Sequence, residues 1–576
     1  MPLNFTLLEI DLSSKTVKKK PIDEKILLKF LGGRGLGVRL FFEYADPKID
    51  PLSPSAPFFI LTGPLTISSA PLSGRFHAVF KSPLTGTIFD SSCGGYGGVF
   101  LKRLKIDGIV IIGKSDTPVV IYIDEKGVKI EDAQGLKGLK ISLRAKKLKE
   151  IYGEDISYVL CGPSAEKNVI YSNLVSDGRF FGRGGGGAVF NAKLLLGIVI
   201  KKTNKIEELK PANKEKFDFV NEEARKWIYA NPITSEGLPR FGTSVLMNLI
   251  NELKLLPSKN FNENVFPLAD LISGESLEKK VVKKRACFSC PVACGRVTEK
   301  GEGPEYETLW ALGANLKVSN LDSIINYNKI CAEYGVDTIS LGGSISAFLE
   351  INDLPFGDEA LIEKLIMKTV EAVDEGGEIG KGSLRMCQKY GREKFSMSVK
   401  GLELPAYHPL GLYGMALAYG TSNRGGCHLR AYMLGPEVLG IPKLINRRIS
   451  TGKSGLVIYL QNSHASMDSA IFCRFISLAV TDDYLARLVS SWCGIELSTV
   501  EYQKIGERIY NLERVFNIIA GFKKEDDYLP ERLIFREYKD MLDEYYRARG
   551  WDERGIPTDN KLKELEIIEF LKERYV

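Results

Sequence analysis

Apolar and polar positions alternate at the start of the chain. Residues 4–20 set Phe5, Leu7 and Ile10 among polar neighbours, with Ser13 and Ser14 between two runs, which predicts a hairpin. An apolar helical pattern follows and is interrupted by Gly32-Gly-Arg-Gly35. Between Phe58 and Ile123 the pattern breaks into short β-rich runs at 58–62, 76–80, 108–112 and 119–123. Such a strand-dense, turn-rich region predicts a β-dominated domain. It closes near residue 200, at a connector rich in lysine and glutamate over 201–211. Beyond Pro211 the period becomes helical, with Phe217, Val220, Ala224 and Ile228 on one stripe. Helical patterns recur at 321–331, after Asp337, over 357–400 and from 501 onward, where Ile505, Ile509, Leu512, Phe516 and Ile519 share a face. The expected fold class is α+β: a β-rich domain over 1–208, then two mainly helical domains over 209–400 and 401–576.

A chain of 576 residues is too long for a single core, which agrees with several domains. With 44% hydrophobic and 26% charged residues it has the composition of an ordinary globular protein. A net charge of +6 is mild for this size. It does not call for nucleic acid, although local basic patches can still guide an acidic protein partner. Apolar runs such as 194–200 are too short to span a bilayer. The N-terminus turns basic at Lys18–Lys20 without the order of a signal peptide, so a cytoplasmic protein away from membranes is expected. Abundant lysine and glutamate with scarce glutamine point to a thermophile.

Candidate chemistry centres on Cys287-Phe-Ser-Cys290-Pro-Val-Ala-Cys294. Ten cysteines are present, this is their one tight group, and in a cytosolic chain that favours metal ligation over disulfides. Three close thiolates need a fourth ligand from elsewhere, the pattern of an iron–sulfur cluster; Cys-x2-Cys is also a zinc spacing. On spacing alone Cys473, Cys493 and Cys427 compete for the fourth place. Two glycine loops, one containing Gly94 and Gly95 and the other Gly182-Arg183-Gly184, let backbone N–H groups approach an anion. Neither is a P-loop, and each read alone is equally a tight turn. Together, and with Arg75, they favour a phosphate-bearing cofactor. Glu305 and Glu307 follow the cysteines; by itself Glu307 reads as an exposed helix carboxylate. Asp337 reads as a helix cap. Tyr407 sits in an extended segment before His408-Pro409. Histidine is rare, with four in the chain, and His428 follows Arg424-Gly-Gly-Cys427 in a loop suited to a ligand, where it can donate or take a proton.

Taken together, these segments resemble the tungsten-containing aldehyde ferredoxin oxidoreductase family. The motifs, in order, are Gly63-Pro-Leu-Thr66 with Arg75, Lys81-Ser-Pro-Leu-Thr-Gly86, Gly182-Arg-Gly-Gly, the cysteine group, Glu305-Tyr-Glu307, Asp337-Thr-Ile-Ser, Arg424-Gly-Gly-Cys-His428, and Asp468 with Cys473. The resemblance implies a β-rich base domain carrying a tungsten-bispterin centre, covered by two helical domains. It implies one [4Fe-4S] cluster on Cys287, Cys290, Cys294 and Cys473. It places Arg75 between cluster and pterin, and gives Ser92 and Phe181 backbone carbonyls for a Mg2+ bridging the pterin phosphates. Gly94, Gly95, Gly182, Arg183, Gly184, Asp337 and Asp468 fall to cofactor binding, Glu307 and His428 to catalysis, and Tyr407 to a substrate-facing place.

The implied reaction is aldehyde oxidation with electrons passed to ferredoxin. Rival readings are a molybdenum-using or acid-reducing member, or a non-catalytic paralogue that keeps only the cluster. The paired Asp-x-x-Gly-Leu-Asp/Cys motifs that grip the pterins become Ala332-Glu-Tyr-Gly335-Val336-Asp337 and Asp468-Ser-Ala-Ile471-Phe472-Cys473. Ala332 stands for an Asp and Ile471 for a Gly. A Glu-x-x-His motif that holds an iron between subunits in some members reads Asn326-Tyr-Asn-Lys329, so a homodimer, if formed, is expected to lack that iron.

Overall fold

The computed structural model describes residues 4–203 and 209–575, and the expected boundary at 208 lies outside the described residues. Strands β1 (Thr6–Asp11) and β2 (Thr16–Pro21) form the hairpin that the opening alternation predicts. With β3 (Phe58–Leu61), β4 (Phe76–Lys81), β5 (Ile88–Cys93) and β6 (Gly108–Ile112) they make a six-stranded sheet of order β2-β1-β6-β3-β4-β5. A second six-stranded sheet contains β7 (Val119–Asp124), β8 (Gly127–Asp132), β9 (Ile156–Cys161), β10 (Leu174–Ser176), β11 (Arg179–Phe181) and β12 (Leu195–Lys201). Its order is β11-β10-β9-β12-β7-β8. Pairs β1–β6 and β7–β12 are parallel. Strands β3 and β4 are buried at every position, because the sheet is covered on both faces.

One cover is helix α1 (Gly33–Tyr44); as the pattern predicts, the Gly32–Gly35 run interrupts the helical stretch, which ends one helix at Phe30 and opens α1. The reason for glycine inside α1 is proximity. A Cβ at Gly35 would lie 2.5 Å from Ile509 Cδ1, and one at Gly37 would lie 2.5 Å from Val79 Cγ2. Each glycine costs helix propensity, about 1 kcal/mol, but lets the helix sit flush between β4 and the C-terminal helices.

The sheets meet at their edges β5 and β11, where the rings of Phe76 and Phe181 lie 4.7 Å apart. The rest of the chain is largely helical. Helix α2 (Lys214–Ala230) buries the expected stripe of Phe217, Val220, Ala224 and Ile228 and is capped by Asn213. A small antiparallel sheet of β13 (Val281–Arg285), β14 (Gly295–Thr298) and β15 (Gly301–Glu302) follows. The three close cysteines therefore form the loop joining β13 to β14.

Beyond that sheet come α3 (Tyr306–Ala311), α4 (Leu321–Tyr334), α5 (Thr338–Ile351), α6 (Lys453–Ala470) and α7 (Thr499–Ile519). Helix α7 starts with a reciprocal Ser498–Glu501 capping box and buries Ile505, Ile509, Leu512 and Phe516, with Ile519 partly covered. The architecture is thus α+β, strands first and helices after. Among the described residues no helix is long and apolar enough to cross a membrane.

Candidate active site

The cysteine loop turns through two left-handed positions, Ser289 (φ 52°) and Ala293 (φ 46°), and Cys290 N–H donates to Cys287 O at 3.2 Å. Leu72 ties the distant Cys473 to it. Leu72 O accepts from Cys473 N at 2.7 Å, and Leu72 N donates to Ser289 O at 3.1 Å. Arg75 Nη2 donates to Cys473 Sγ at 3.1 Å. Burial works against the Arg75 charge, yet the Cys473, Cys287 and Cys294 thiolates outweigh it and hold the guanidinium protonated.

Gly94 lies on the other side of the loop, where a Cβ would be 2.6 Å from Cys287 Sγ. The competitors for the fourth place are elsewhere: Cys493 lines a separate recess beside Phe5 and Trp492, and Cys427 Sγ accepts from Arg424 and Leu429. Burial, with the neighbouring thiols, pushes Cys290 up to about 11 and Cys294 well up. Cys290 and Cys294 would need a cationic centre beside them to ionise together. Among the described residues no three His, Cys, Asp or Glu side chains converge as a single ion requires.

A cavity of about 380 Å³ opens beyond Arg75. Ser92, Gly94, Gly182 and Arg183 line it from the β-rich part; Glu307, Tyr407, His428 and Asp468 line it from the helical part. A second cavity of about 220 Å³ shares Gly182, Arg183 and Glu307 and adds Asn173, Asn328, Ala332 and Asp337. Gly95 and Gly184 stand back from both: Gly95 O accepts from Phe288 N at 3.2 Å, and Gly184 O from Ser82 Oγ at 2.7 Å. Ser92 and Phe181 sit on the facing edge strands β5 and β11.

Glu307, in the first turn of α3, is mostly covered rather than exposed, with 16% of its side chain accessible. Its Oε2 accepts from Ala406 N at 3.0 Å, while Oε1 has no hydrogen-bond partner and lies 3.6 Å from His428 Nε2. Burial pushes the Glu307 carboxyl up to about 8, against the Ala406 hydrogen bond. Burial, then the charges of Arg183, Arg424, Arg474 and Arg430, hold His428 well below its ordinary value. The pair is thus a protonatable acid facing a neutral imidazole. The Tyr407 ring lies 5.5 Å from His428, and Tyr306 lies behind Tyr407 at 5.6 Å. Glu305, by contrast, is half exposed and bonded to Thr243.

Residues 7–202 match the family model described as aldehyde ferredoxin oxidoreductase, N-terminal domain, and 220–567 match aldehyde ferredoxin oxidoreductase, domains 2 and 3. The chain belongs to the aldehyde ferredoxin oxidoreductase family. It is 40% identical to the tungsten-containing aldehyde ferredoxin oxidoreductase of Pyrococcus furiosus, over 98% of both chains. Identity to the enzyme of that name from Thermococcus kodakarensis is also 40%, over 98% of this chain and 99% of the relative. A more distant relative, 26% identical over 99% and 98%, is the WOR-like subunit of an aliphatic sulfonate oxidoreductase from P. furiosus. Among solved structures, the active site complex BamBC of benzoyl coenzyme A reductase with 1,5-dienoyl-CoA has the same fold, with a TM-score of 0.87 at 21% identity, covering 100% of this chain and 99% of that one. The chain is an oxidoreductase of a tungsten-containing family, which implies a tungstopterin.

The cavity walls fit such an anionic group. Arg183 donates to Asp337 (3.1 Å), Gly426 O (3.2 Å) and Glu403 O (2.9 Å). Asp337 also caps α5 through Ile339 N and Ser340 Oγ, so the cap and the ion pair coexist. Asp468 binds Arg474 at 2.9 Å and Arg34 at 3.2 Å, and Arg34 continues to Glu513. Burial opposes its charge, but Arg474 and Arg430 hold Asp468 below the usual carboxylate range. Nε of Arg179, Arg430 and Arg474 remain buried without a partner, as donors for phosphates and pterin edges would be.

Sequence reading alone missed Arg34, Arg430, Arg474, Tyr306 and Tyr432. Their one signal was adjacency, since Arg430 follows His428 by two residues and Arg474 follows Cys473 directly.

The paired motifs keep their backbone. Helix α4 ends at Gly335 (φ 73°) and α6 at Ile471 (φ 68°), both left-handed. Ile471 adopts the glycine conformation at a cost, with its side chain fully buried against Gly63. On the Ala332 side the cavity persists, walled by Asn173 and Asn328.

Proposed function

We propose that this chain oxidises an aldehyde with water to a carboxylic acid, releasing two protons and two electrons. The electrons leave through one [4Fe-4S] cluster on Cys287, Cys290, Cys294 and Cys473 to a ferredoxin. What carries this reading is the mostly buried Glu307–His428 pair, 3.6 Å apart, on a cavity whose opposite wall holds Arg75, itself bonded to Cys473. Bound in the two cavities, the tungsten-bispterin would supply the acceptor for both electrons. Arg183, Arg430 and Arg474 would hold its anionic groups, with Asp337 and Asp468 beside them, and the Ser92 and Phe181 carbonyls would hold the bridging Mg2+.

The chain's own residues then handle the substrate and its protons. The half-satisfied Glu307 carboxyl takes a proton from water at Oε1, the atom left without a donor. Its high proton affinity makes it an effective base once ionised. His428, neutral, donates a hydrogen bond to the aldehyde oxygen, and the proton that Glu307 takes from water is released from its carboxyl to solvent. Tyr407 packs on the imidazole and fixes its plane. On α4, Asn326 donates to Glu363; an interfacial iron there is not part of the proposal, and dimerisation is left to other surfaces.

The test is metal and pterin analysis of protein purified without air from cells supplied with tungsten, followed by an aldehyde panel. Tungsten, two pterins and about four irons per chain are expected. Iron without tungsten or pterin would instead support a cluster-only electron-transfer protein, with Ala332 and Ile471 as the first suspects.

A further inference from the structure

The glycine loop Cys93–Gly98 carries one large residue, Tyr96, which is 45% exposed although it adjoins the cluster site. Its ring meets Phe288, inside the Cys287–Cys290 loop, edge-on at 6.1 Å. On its other side it stacks with Phe100 at 6.3 Å. The Arg103 guanidinium lies 5.5 Å from the Phe100 ring centre and the Lys202 ammonium 5.7 Å. An aromatic path thus runs from the cysteine loop to a cationic rim. Cys473, by contrast, is buried and bonded to Arg75, which lines the cavity, whereas Phe288 on the cysteine loop is partly exposed. Among the described residues, Asp155 meets Lys202 through its backbone carbonyl; Asp177 faces Lys202, and it is mostly buried and bonded to Ser157, with burial raising its proton affinity. It subtracts little from the positive rim.

We infer that Tyr96, Phe100 and Phe288, rimmed by Arg103 and Lys202, form the docking surface for an acidic one-electron carrier protein. The inference rests on the proposed electron exit through the cluster and names where it happens. Aromatic rings supply the desolvated centre and the two cations the steering and register. Each docking moves one electron: the reduced cluster is oxidised by one electron and the carrier is reduced by one. Two carriers are reduced for each aldehyde oxidised.

The test uses the holoenzyme and an acidic ferredoxin at low ionic strength. Arg103→Glu/Lys202→Glu should raise the KM for ferredoxin at least tenfold and flatten its salt dependence. Aldehyde-dependent reduction of a small viologen dye should stay at the parent rate. Tyr96→Ala should raise the same KM several-fold. Lys283→Glu/Lys284→Glu, on β13 at the other side of the loop, is the control and should leave it unchanged. An unchanged KM in the first variant, or an equal rise in the control, overturns the inference. Absence of dye reduction in the parent enzyme would overturn the aldehyde reading instead. Association of ferredoxin with the immobilised holoenzyme then decides the surface alone: loss of binding in Arg103→Glu/Lys202→Glu supports it, and parent-like binding sinks it.

Discussion

Glu307→Gln removes one ionisable oxygen and leaves the rest of the site in place. Gln retains a carbonyl to accept from Ala406 N, now 3.0 Å from Oε2, and its amide fills the same volume. The fold should therefore lose less than about 1 kcal/mol. Catalysis should lose far more, because Oε1 of Glu307 is the carboxylate oxygen that faces His428 Nε2, at 3.6 Å. A positioned acid–base group contributes about 10²–10⁴-fold, or about 3–5.5 kcal/mol of barrier.

The parent enzyme supplies a second readout. With the carboxyl pushed up to about 8, the ionised form required of a base is the minor one at neutral pH and grows as pH rises. The kcat/KM should therefore climb through the neutral range and level off above about pH 8, with no limb from His428, which stays neutral throughout. The assay is aldehyde-dependent viologen reduction under argon, with tungsten and iron measured on each preparation. Full metal content with more than about a tenth of parental activity in Glu307→Gln would refute the role. So would a parental acid limb near pH 4–5, the range of an ordinary carboxylate.

Cys473→Ser should lower bound iron and abolish the cluster's reduced-state EPR signal, while Cys493→Ser leaves both unchanged. The reverse pattern would move the fourth ligand. Arg183→Lys cannot reach Asp337, Gly426 O and Glu403 O at once, so pterin content should fall even where the protein stays folded. Parental pterin in that variant would show that the arginine only braces the fold. Ile471→Gly restores the family residue yet should destabilise. It relieves about 1–2 kcal/mol of left-handed strain but forfeits about 2–5 kcal/mol of buried side chain, a net loss of about 1–3 kcal/mol read from the urea midpoint. A higher midpoint would mean that strain outweighs the packing on Gly63.

Local pattern alone determined a good deal. The period-two runs marked the strands, the 3.6-residue stripe of Phe217, Val220, Ala224 and Ile228 marked α2, and the spacing of Cys287, Cys290 and Cys294 marked a candidate metal-binding loop. These are legible because strand, helix and cysteine-loop geometry repeat over a few residues. The interruption at Gly32–Gly35 was legible too, but not the reason why α1 carries Gly35 and Gly37. A glycine breaks an isolated helix but serves one pressed between a sheet and α7, and that pressure comes from residues more than four hundred positions away.

Tertiary structure alone decided the rest. Spacing could not separate Cys473 from Cys493 or Cys427; of the three, it is Cys473 that the hydrogen bonds through Leu72 tie to the cysteine loop. Nor could a linear chain show that Glu307 lies mostly buried beside His428, or that six arginines from four segments converge on one cavity. Proton affinities follow burial and the sum of nearby charges, and both exist only once distant segments have packed together.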